Sequence, residues 1–539
     1  LIHYRNGRVV TVDPANPHAQ SLVVDGARLA YVGSDDGAAA LAPDAEVVDL
    51  AGALVLPGFI DAHTHLVEMG TSLNSLDLLD VRDAADLQDR LRAFAAEHAS
   101  AARLTGGGWL LGPLAGRAPD RHLLDAAVPD RPVYLHSNDM HSMWVNSAAL
   151  AELGIDAGTP DPVGGTVVRD ADGAATGLLL EMAALGLASD FLAARVTDAD
   201  RDAALRTAMD AYLRTGVTGA VDMAMRAEDL AALERAAADG LAMRIAAHWL
   251  IVPSGDAERD LAQVAEAAAH AERLRGGPIR IAGIKIMVDG VIDSCTAAMR
   301  APFADGSHPG PIWPLAELEP VVRAADAAGL QVAMHAIGDA ASDIALTAVE
   351  RAIAANGPRE RRHRLEHLEV VGEDGIARLA ALGLVASMQP VHADPAIQET
   401  WRASLGDHRS ERGYPWPEIT AAGARLAFGS DAPTAPHPPL PNLFIASTRR
   451  SAIDPALPPN LPQYALPLAE ALGHATRDAA YACRWEDEAG VLAAGLAADF
   501  VVLDTDPFAQ GPDSLLTARV RRTVTAGVTR WCADGIAAG

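Results

Sequence analysis

The nine residues Gly58-Phe59-Ile60-Asp61-Ala62-His63-Thr64-His65-Leu66, "GFIDAHTHL", read as a short apolar strand whose far end carries two histidines. Seven further runs share that design: "GVTGAVDMAM" (216–225), "MRIAAHWLIV" (243–252), "IRIAGIKIMVDG" (279–290), "LQVAMHAIGD" (330–339), "HRLEHLEVV" (363–371), "LVASMQPVH" (384–392) and "RLAFGSDAP" (425–433). Helical patterns separate most of them. Strand alternating with helix builds parallel βαβ units, and eight such units predict an α/β fold, a (β/α)8 TIM barrel. Nearly every run ends in polar or metal-capable residues at its C-terminal end, where barrel enzymes assemble their sites.

Upstream of the first run, "RVVTVDP", "SLVVDGARLAYVGS" and "EVVDLAGALVLPG" alternate apolar and polar residues around Gly, Asp and Pro turns, a pattern for hairpins. The tail repeats it in "GLAADFVVLDTDPF" and "RVRRTVTAGVTRWCADG". Residues 1–56 and 489–539 are therefore expected to pair into one small β-sandwich built from both termini, flanking a barrel of residues 57–488. The connection from the first run to the second, roughly residues 67 to 214, is far too long for a simple loop. It is expected to hold an inserted subdomain, about residues 75–210, that includes "RPVYLHSNDMHSMWVNSAAL" and "GGTVVRDADGAATGLLLE".

Composition narrows the partners. The chain has 539 residues, half of them hydrophobic, and a formal net charge of −28. Such a balance repels nucleic acid and anionic lipid and points to a small-molecule partner. A homodimer is left open. Cys295, Cys483 and Cys532 are odd in number and far apart, so they imply no disulfide framework. The N-terminus has no charged leader followed by an apolar core, and no apolar run is long enough to span a bilayer. A cytoplasmic location is expected, although a first residue other than Met leaves a trimmed leader open.

His63 and His65 are two apart on a predicted strand, so both side chains are expected on one face, where two neutral imidazoles can converge on a cation. His335 ends the fifth run, His367 lies on the sixth, and Asp431 follows Gly429-Ser430 after the eighth. Singly, each histidine is more often an ordinary rim or core residue. Four histidines and an aspartate at matching ends of separate strands are hard to explain that way.

Lys285 stands inside the fourth run and is the only lysine, the other 42 basic residues being arginines. Buried among Ile284, Ile286 and Met287, an ammonium would cost several kcal/mol unless paired, so its pKa is expected to fall. The neutral amine can add CO2 to form a carbamate whose two oxygens bridge two cations. Arginine cannot replace it there, because a guanidinium stays protonated. The plainer alternatives are a snorkelling lysine or an ion pair with Asp289.

The ordered set "PGFIDAHTHL", "KIMVDG", "HAIGD", "LEH" and "GSDAP" resembles the amidohydrolase superfamily, specifically the YtcJ-like branch that includes N-substituted formamide deformylases. The resemblance runs from "NGRVVTVDP" to "DFVVLDTDP", almost the whole chain. It implies a site with one or two divalent metal ions, most often Zn2+, with Mn2+, Co2+ or Fe2+ as alternatives. His63, His65 and Asp431 would bind the first ion, Lys285 would bridge as its CO2-derived carbamate, and His335 and His367 would bind the second. Two departures stand out. Relatives often show Asp-Gly-His in the inserted region, where this chain has Asp139-Met140-His141, and many carry arginine where this chain has Cys295.

The expected activity is hydrolysis of a non-peptide C–N bond, in an amide or N-substituted formamide, through a metal-activated hydroxide. Asp431 would take the proton and return it to the leaving amine. His248 or His141 would stabilise the oxyanion, although His248 equally suits a plain core hydrogen bond. His141, Trp144 and Asn146 are a candidate lid, Cys295 a candidate pocket residue, and Glu181 and His392 weaker substrate contacts. N-acyl amino acid deacylation, cyclic amide opening and deamination fit the same site, since function resides in loops grafted on the fold. A catalytically silent small-molecule-binding barrel is the alternative of another class, and the complete ligand set speaks against it. "RLRGG" and the glycines at 106–108 lack the strand and helix setting of a phosphate loop.

Overall fold

In a computed structural model of the chain, residues 1–78, 80–109, 114, 117–137, 142–162, 165–181 and 183–533 are described. All eight runs form strands of one parallel sheet, in chain order: β1 (Phe59–Thr64), β2 (Val217–Met225), β3 (Arg244–Ile251), β4 (Ile279–Met287), β5 (Gln331–Ala336), β6 (Arg364–His367), β7 (Val385–Met388) and β8 (Arg425–Phe428). Past the end of β8 the chain returns to β1. Asp431 N donates to His63 O at 2.7 Å and His65 N to Ala432 O at 2.9 Å, nearly closing the barrel. Small residues fill the interior, among them Ala62, Ala246, Ala333 and Ala427 with Val221, Met223 and Val385, as a narrow eight-stranded barrel requires.

Helices link the strands, as the alternating pattern predicts. Ala257–Arg273, between β3 and β4, shows why they begin where they do: Asp256 accepts from Glu258 N at 2.9 Å, acids occupy the first turn, and His270 and Arg273 occupy the last. That arrangement satisfies orphan N–H groups and complements the helix dipole. No helix among the described residues is long and apolar enough to cross a membrane.

The termini build the expected sandwich. Its four-stranded sheet has the order Arg28–Gly33, Ser21–Asp25, Ile2–Arg5, Glu46–Asp49. The facing six-stranded sheet joins both ends of the chain, with Phe500–Leu503 antiparallel to Leu54–Pro57. Tyr4, Leu22, Val24, Val55, Phe500 and Val524 share the core between the sheets, and Tyr4 meets Phe500 edge to face at 5.0 Å. Arg244, opening β3, ties this layer to the barrel through Asp499 at 2.8 Å and Glu488 at 3.1 Å.

The chain divides into two compact units, one of Leu1–Leu66 with Ala208–Gly539 and one of Val67–Thr207. The second unit has its own six-stranded sheet, running from Gly165–Arg169 to Leu76–Asp77. Its cores include Leu87, Leu91, Trp109 and Trp144 on one side and Tyr134, Met143 and Leu179 on the other.

Candidate metal centre

β1 does not deliver its histidines by simple alternation. Against β2, Ala220 pairs with Asp61 and Asp222 with Thr64, so β1 carries one extra residue there. Asp61 and Thr64, an odd number apart, consequently face the same way, and Tyr212 OH donates to Asp61 Oδ2 at 2.9 Å while meeting Thr64 Oγ1 at 2.6 Å. Such an irregularity re-aims side chains. It leaves His63 pointing at β6, where its Nδ1 meets Glu366 Oε2 at 2.7 Å, and β1 ends at Thr64, before His65. Asp61 also accepts from Ser430 Oγ at 2.6 Å and Ser430 N at 2.9 Å, fastening β1 to the segment after β8. Gly429 lies so close that a Cβ there would stand 2.5 Å from His63 N.

Asp431 is the hub of the site. Its Oδ1 lies 3.1 Å from His65 Nε2 and 3.3 Å from His63 Nε2. Its Oδ2 faces His392 Nε2 at 3.7 Å and His367 Nδ1 at 3.9 Å. The His63–His65–Asp431 and His367–His392–Asp431 sets each bring their ligand atoms within 4.8 Å of one another. His335 stacks edgewise on His367, ring centres 4.5 Å apart. Two of these positions carry left-handed backbone, φ 75° at His367 and 61° at Asp431, and Leu368 follows at 48°. Conformations of that kind cost about 1–3 kcal/mol each and gather at functional sites.

Lys285 reaches the cluster from below. In the β4–β5 register Lys285 pairs with Ala333, two residues short of the Met287–His335 pair, a deficit of roughly 6–7 Å along the strand. The long side chain spans it and places Nζ 3.5 Å from His63 Nε2. Among the described residues Lys285 makes no ion pair with Asp289. That carboxylate accepts instead from Ile337 N, Gly338 N and Ala298 N at 3.1, 2.9 and 3.0 Å.

Burial sets the protonation states. It pushes the Lys285 ammonium down to about 8, against the opposing pull of Glu366 and Asp431. It also pushes His335 down to about 3 and His367 well below its usual range, leaving neutral imidazoles. Burial would raise Asp431 and Glu366, but the His63 and His65 rings hold Asp431 well below the carboxylate range, and Arg364 and His63 do the same for Glu366.

Neutral imidazoles and an ionised carboxylate are the ligands a divalent transition metal takes. Three rings also have a partner on the side away from the cluster or beside it: Glu366 for His63, Gln389 Oε1 for His367 at 2.8 Å, and the Gly290 carbonyl for His335 at 3.0 Å. Metal-binding histidines are commonly oriented in this way. The donor set fits the metal that the sequence implies.

The remaining candidates lie elsewhere or do other work. His248 is fully buried and its Nε2 is bonded to Gln331 Oε1 at 2.8 Å, which is the core hydrogen bond left open above. Trp144 has no exposed surface and packs edge to face on Trp109 at 5.8 Å within the second unit. Asn146 caps the helix Ser147–Leu153 by accepting from Ala149 N at 2.9 Å. Neither offers a free lid surface. His141 lies outside the described residues, and so does the side chain of Glu181, whose backbone ends the strand Ala175–Glu181. Cys295 is partly exposed in the segment after β4, at a left-handed φ of 54°.

Sequence reasoning missed the supporting residues Asp61, Tyr212, Arg364, Glu366 and Gln389. Arg364 Nε donates to Glu366 Oε1 at 2.6 Å, both side chains being fully buried. The signal was present in "RLEH": two opposite charges two apart inside a buried strand call for each other.

Residues 46–530 match the profile of the Amidohydrolase family. The chain is 32% identical over 508 residues to "Putative amidohydrolase YtcJ" of Bacillus subtilis, with 90% of each chain covered. It is 31% identical over 551 residues to "N-substituted formamide deformylase" of Arthrobacter pascens, covering 98% of this chain and 97% of the relative. Among solved structures, an uncharacterized metal-dependent hydrolase from Pyrococcus furiosus superposes with a TM-score of 0.76 at 28% identity, covering 94% of this chain and 99% of that one.

Proposed function

We propose that this chain, which belongs to the amidohydrolase family and is a hydrolase, cleaves the acyl–nitrogen bond of a small amide, with N-substituted formamides as the first substrate class to try. The observation that carries this reading is the convergence on Asp431. One carboxylate oxygen is shared by His63 and His65, and the other faces His392 and His367. The deformylase similarity, nearly end to end, supports the choice of substrate class.

His63, His65 and Asp431 would hold one divalent ion, and His335, His367 and Lys285 a second, with zinc the first choice. When bound, such ions act as Lewis acids and lower the pKa of a water ligand towards ~7. The chain's own residues do the rest. Asp431 accepts the proton of the attacking water and delivers it to the amine nitrogen as the C–N bond breaks, because an unprotonated amine departs poorly. Glu366 fixes the His63 ring, and Arg364 keeps Glu366 ionised. Lys285 would supply an anionic ligand once its neutral amine attacks CO2: the N–C bond forms, a proton is lost, and a carbamate remains.

The test is a panel of N-substituted formamides, N-acyl amino acids and cyclic amides, assayed with metal content measured on the same preparation. Chelation should abolish turnover, and Zn2+, Mn2+ or Co2+ should restore it. Full activity in a verified metal-free preparation would refute the mechanism. Selective turnover of N-acyl amino acids or cyclic amides would move the substrate class.

A further inference from the structure

Asp431 has its Oδ1 engaged with His63 and His65, while its Oδ2 faces a histidine that is itself held by a second carboxylate. His392 Nε2 stands 3.7 Å from Asp431 Oδ2, while its Nδ1 stands 3.6 Å from Glu369 Oε1. The imidazole thus lies between two carboxylates and bridges from the hub of the site to a buried anchor. We propose that Glu369 and His392 are a positioning pair that fixes the orientation of the Asp431 carboxylate for proton delivery to the leaving amine. The proposal rests on the reading of Asp431 given above.

Both members are rigidly built. Glu369 comes two residues after the left-handed His367, and its Oε2 accepts from Trp401 Nε1 at 2.9 Å. Its carbonyl accepts from Tyr414 N at 3.1 Å. His392 occupies the short turn Pro390–Ala393, whose Val391 N donates to Asn442 Oδ1 at 2.8 Å and whose His392 carbonyl accepts from Gln398 Nε2 at 2.6 Å. The His392 ring also stacks on His367, 5.8 Å between centres and 12° between planes. Among the described residues His392 is the one ion-pair partner of Glu369.

The two separations exceed a hydrogen bond by a few tenths of an ångström, and catalytic hydrogen bonds often tighten only once substrate is bound. A single proton between Nε2 and Oδ2 then suffices to hold the carboxylate plane. Without it, Asp431 keeps its Oδ1 contacts but can rotate its second oxygen away from the departing nitrogen. The cost should therefore fall on kcat rather than KM, and on amines that need the proton most.

The experiment uses the full-length, metal-loaded protein and two amides of the acyl group selected by the panel, one of an alkylamine and one of 4-nitroaniline. His392→Phe keeps a ring to stack on His367, His392→Gln is a second variant, and Glu369→Gln keeps an acceptor for Trp401. The expected result is a kcat loss of about 10- to 100-fold on the alkylamide, below the roughly 10²–10⁴ of a group that transfers the proton itself. KM, metal content and the 4-nitroanilide kcat should stay within about threefold. Glu369→Gln should cost nothing further in the His392→Phe background, since residues acting as one unit are not additive.

Equal losses on both amides, or additive losses in the double variant, overturn the pair. So does loss of metal in both His392 variants, which would make His392 a ligand. If Asp431→Asn abolishes turnover while both His392 variants match the wild type, the pair alone fails. If Asp431→Asn is itself active, or no amide is turned over, the reading of Asp431 fails and takes the pair with it.

Discussion

Replacing Lys285 by arginine separates charge from chemistry. The ordinary lysine value of 10.5 leaves about three amines in ten thousand neutral at pH 7, whereas a value of about 8 leaves roughly a tenth. Burial thus enriches the CO2-reactive form about 300-fold, equivalent to about 3 kcal/mol in favour of the neutral amine. As pH falls below about 8 the ammonium takes over and the reactive fraction drops about tenfold per pH unit. Metal-free enzyme titrated with Zn2+ should accordingly recover faster with added bicarbonate, and faster at pH 8 than at pH 7. Lys285→Arg keeps the charge and cannot form a carbamate. Its metal per chain and its kcat should fall to the level of Lys285→Ala, and acetate or formate should partly rescue the alanine variant by filling the gap. An extra planar group at the lysine tip should appear in electron density. Wild-type metal content and turnover in Lys285→Arg, or recovery indifferent to bicarbonate, would refute the reasoning.

Three other substitutions probe the same centre. Asp431→Asn keeps the shape and loses the proton acceptor, so kcat should fall about a hundred- to ten-thousand-fold with metal still bound, measured by steady-state kinetics beside metal analysis. Glu366→Gln loosens His63 and leaves the buried Arg364 guanidinium without its carboxylate; metal affinity should drop about 10- to 100-fold and stability by about 3–5 kcal/mol, read by competition with a chelator and by denaturant unfolding. Gly429→Ala sets a methyl 2.5 Å from the His63 backbone nitrogen, which cannot yield as a flexible side chain would, so metal content should fall even though no ligand is changed. Normal metal content there would show that the close approach relaxes.

The barrel was legible because each of its strands is a separate apolar run with a turn after it, and the eight runs from "GFIDAHTHL" to "RLAFGSDAP" became β1 to β8 in that order. The sandwich was legible for the same reason, through alternation at both ends of the chain. The geometry at the rim was not. His63 and His65 look like a two-residue repeat, yet the extra residue in β1 and the end of the strand aim them. Partners such as Glu366 and His63, 303 positions apart, depend on register between strands that no local pattern encodes. Trp144 and Asn146 looked like lid residues because aromatic and amide groups suit binding, and those same groups suit a core and a helix cap.

The pairing of Leu54–Pro57 with Phe500–Leu503 has a consequence for synthesis on the ribosome. Leu54–Pro57 leaves the exit tunnel long before Phe500–Leu503, and β1, which carries His63 and leads into His65, begins two residues later, at Phe59. Their companions, Asp431 and then Phe500–Leu503, emerge only several hundred residues later. For most of that interval the early strands have an unpaired edge, the kind of surface that recruits other chains. Contacts so distant in sequence also close slowly. A nascent chain stalled before Asp431 should therefore hold its histidines without a metal centre, and chaperone dependence should persist until Phe500–Leu503 pairs with Leu54–Pro57.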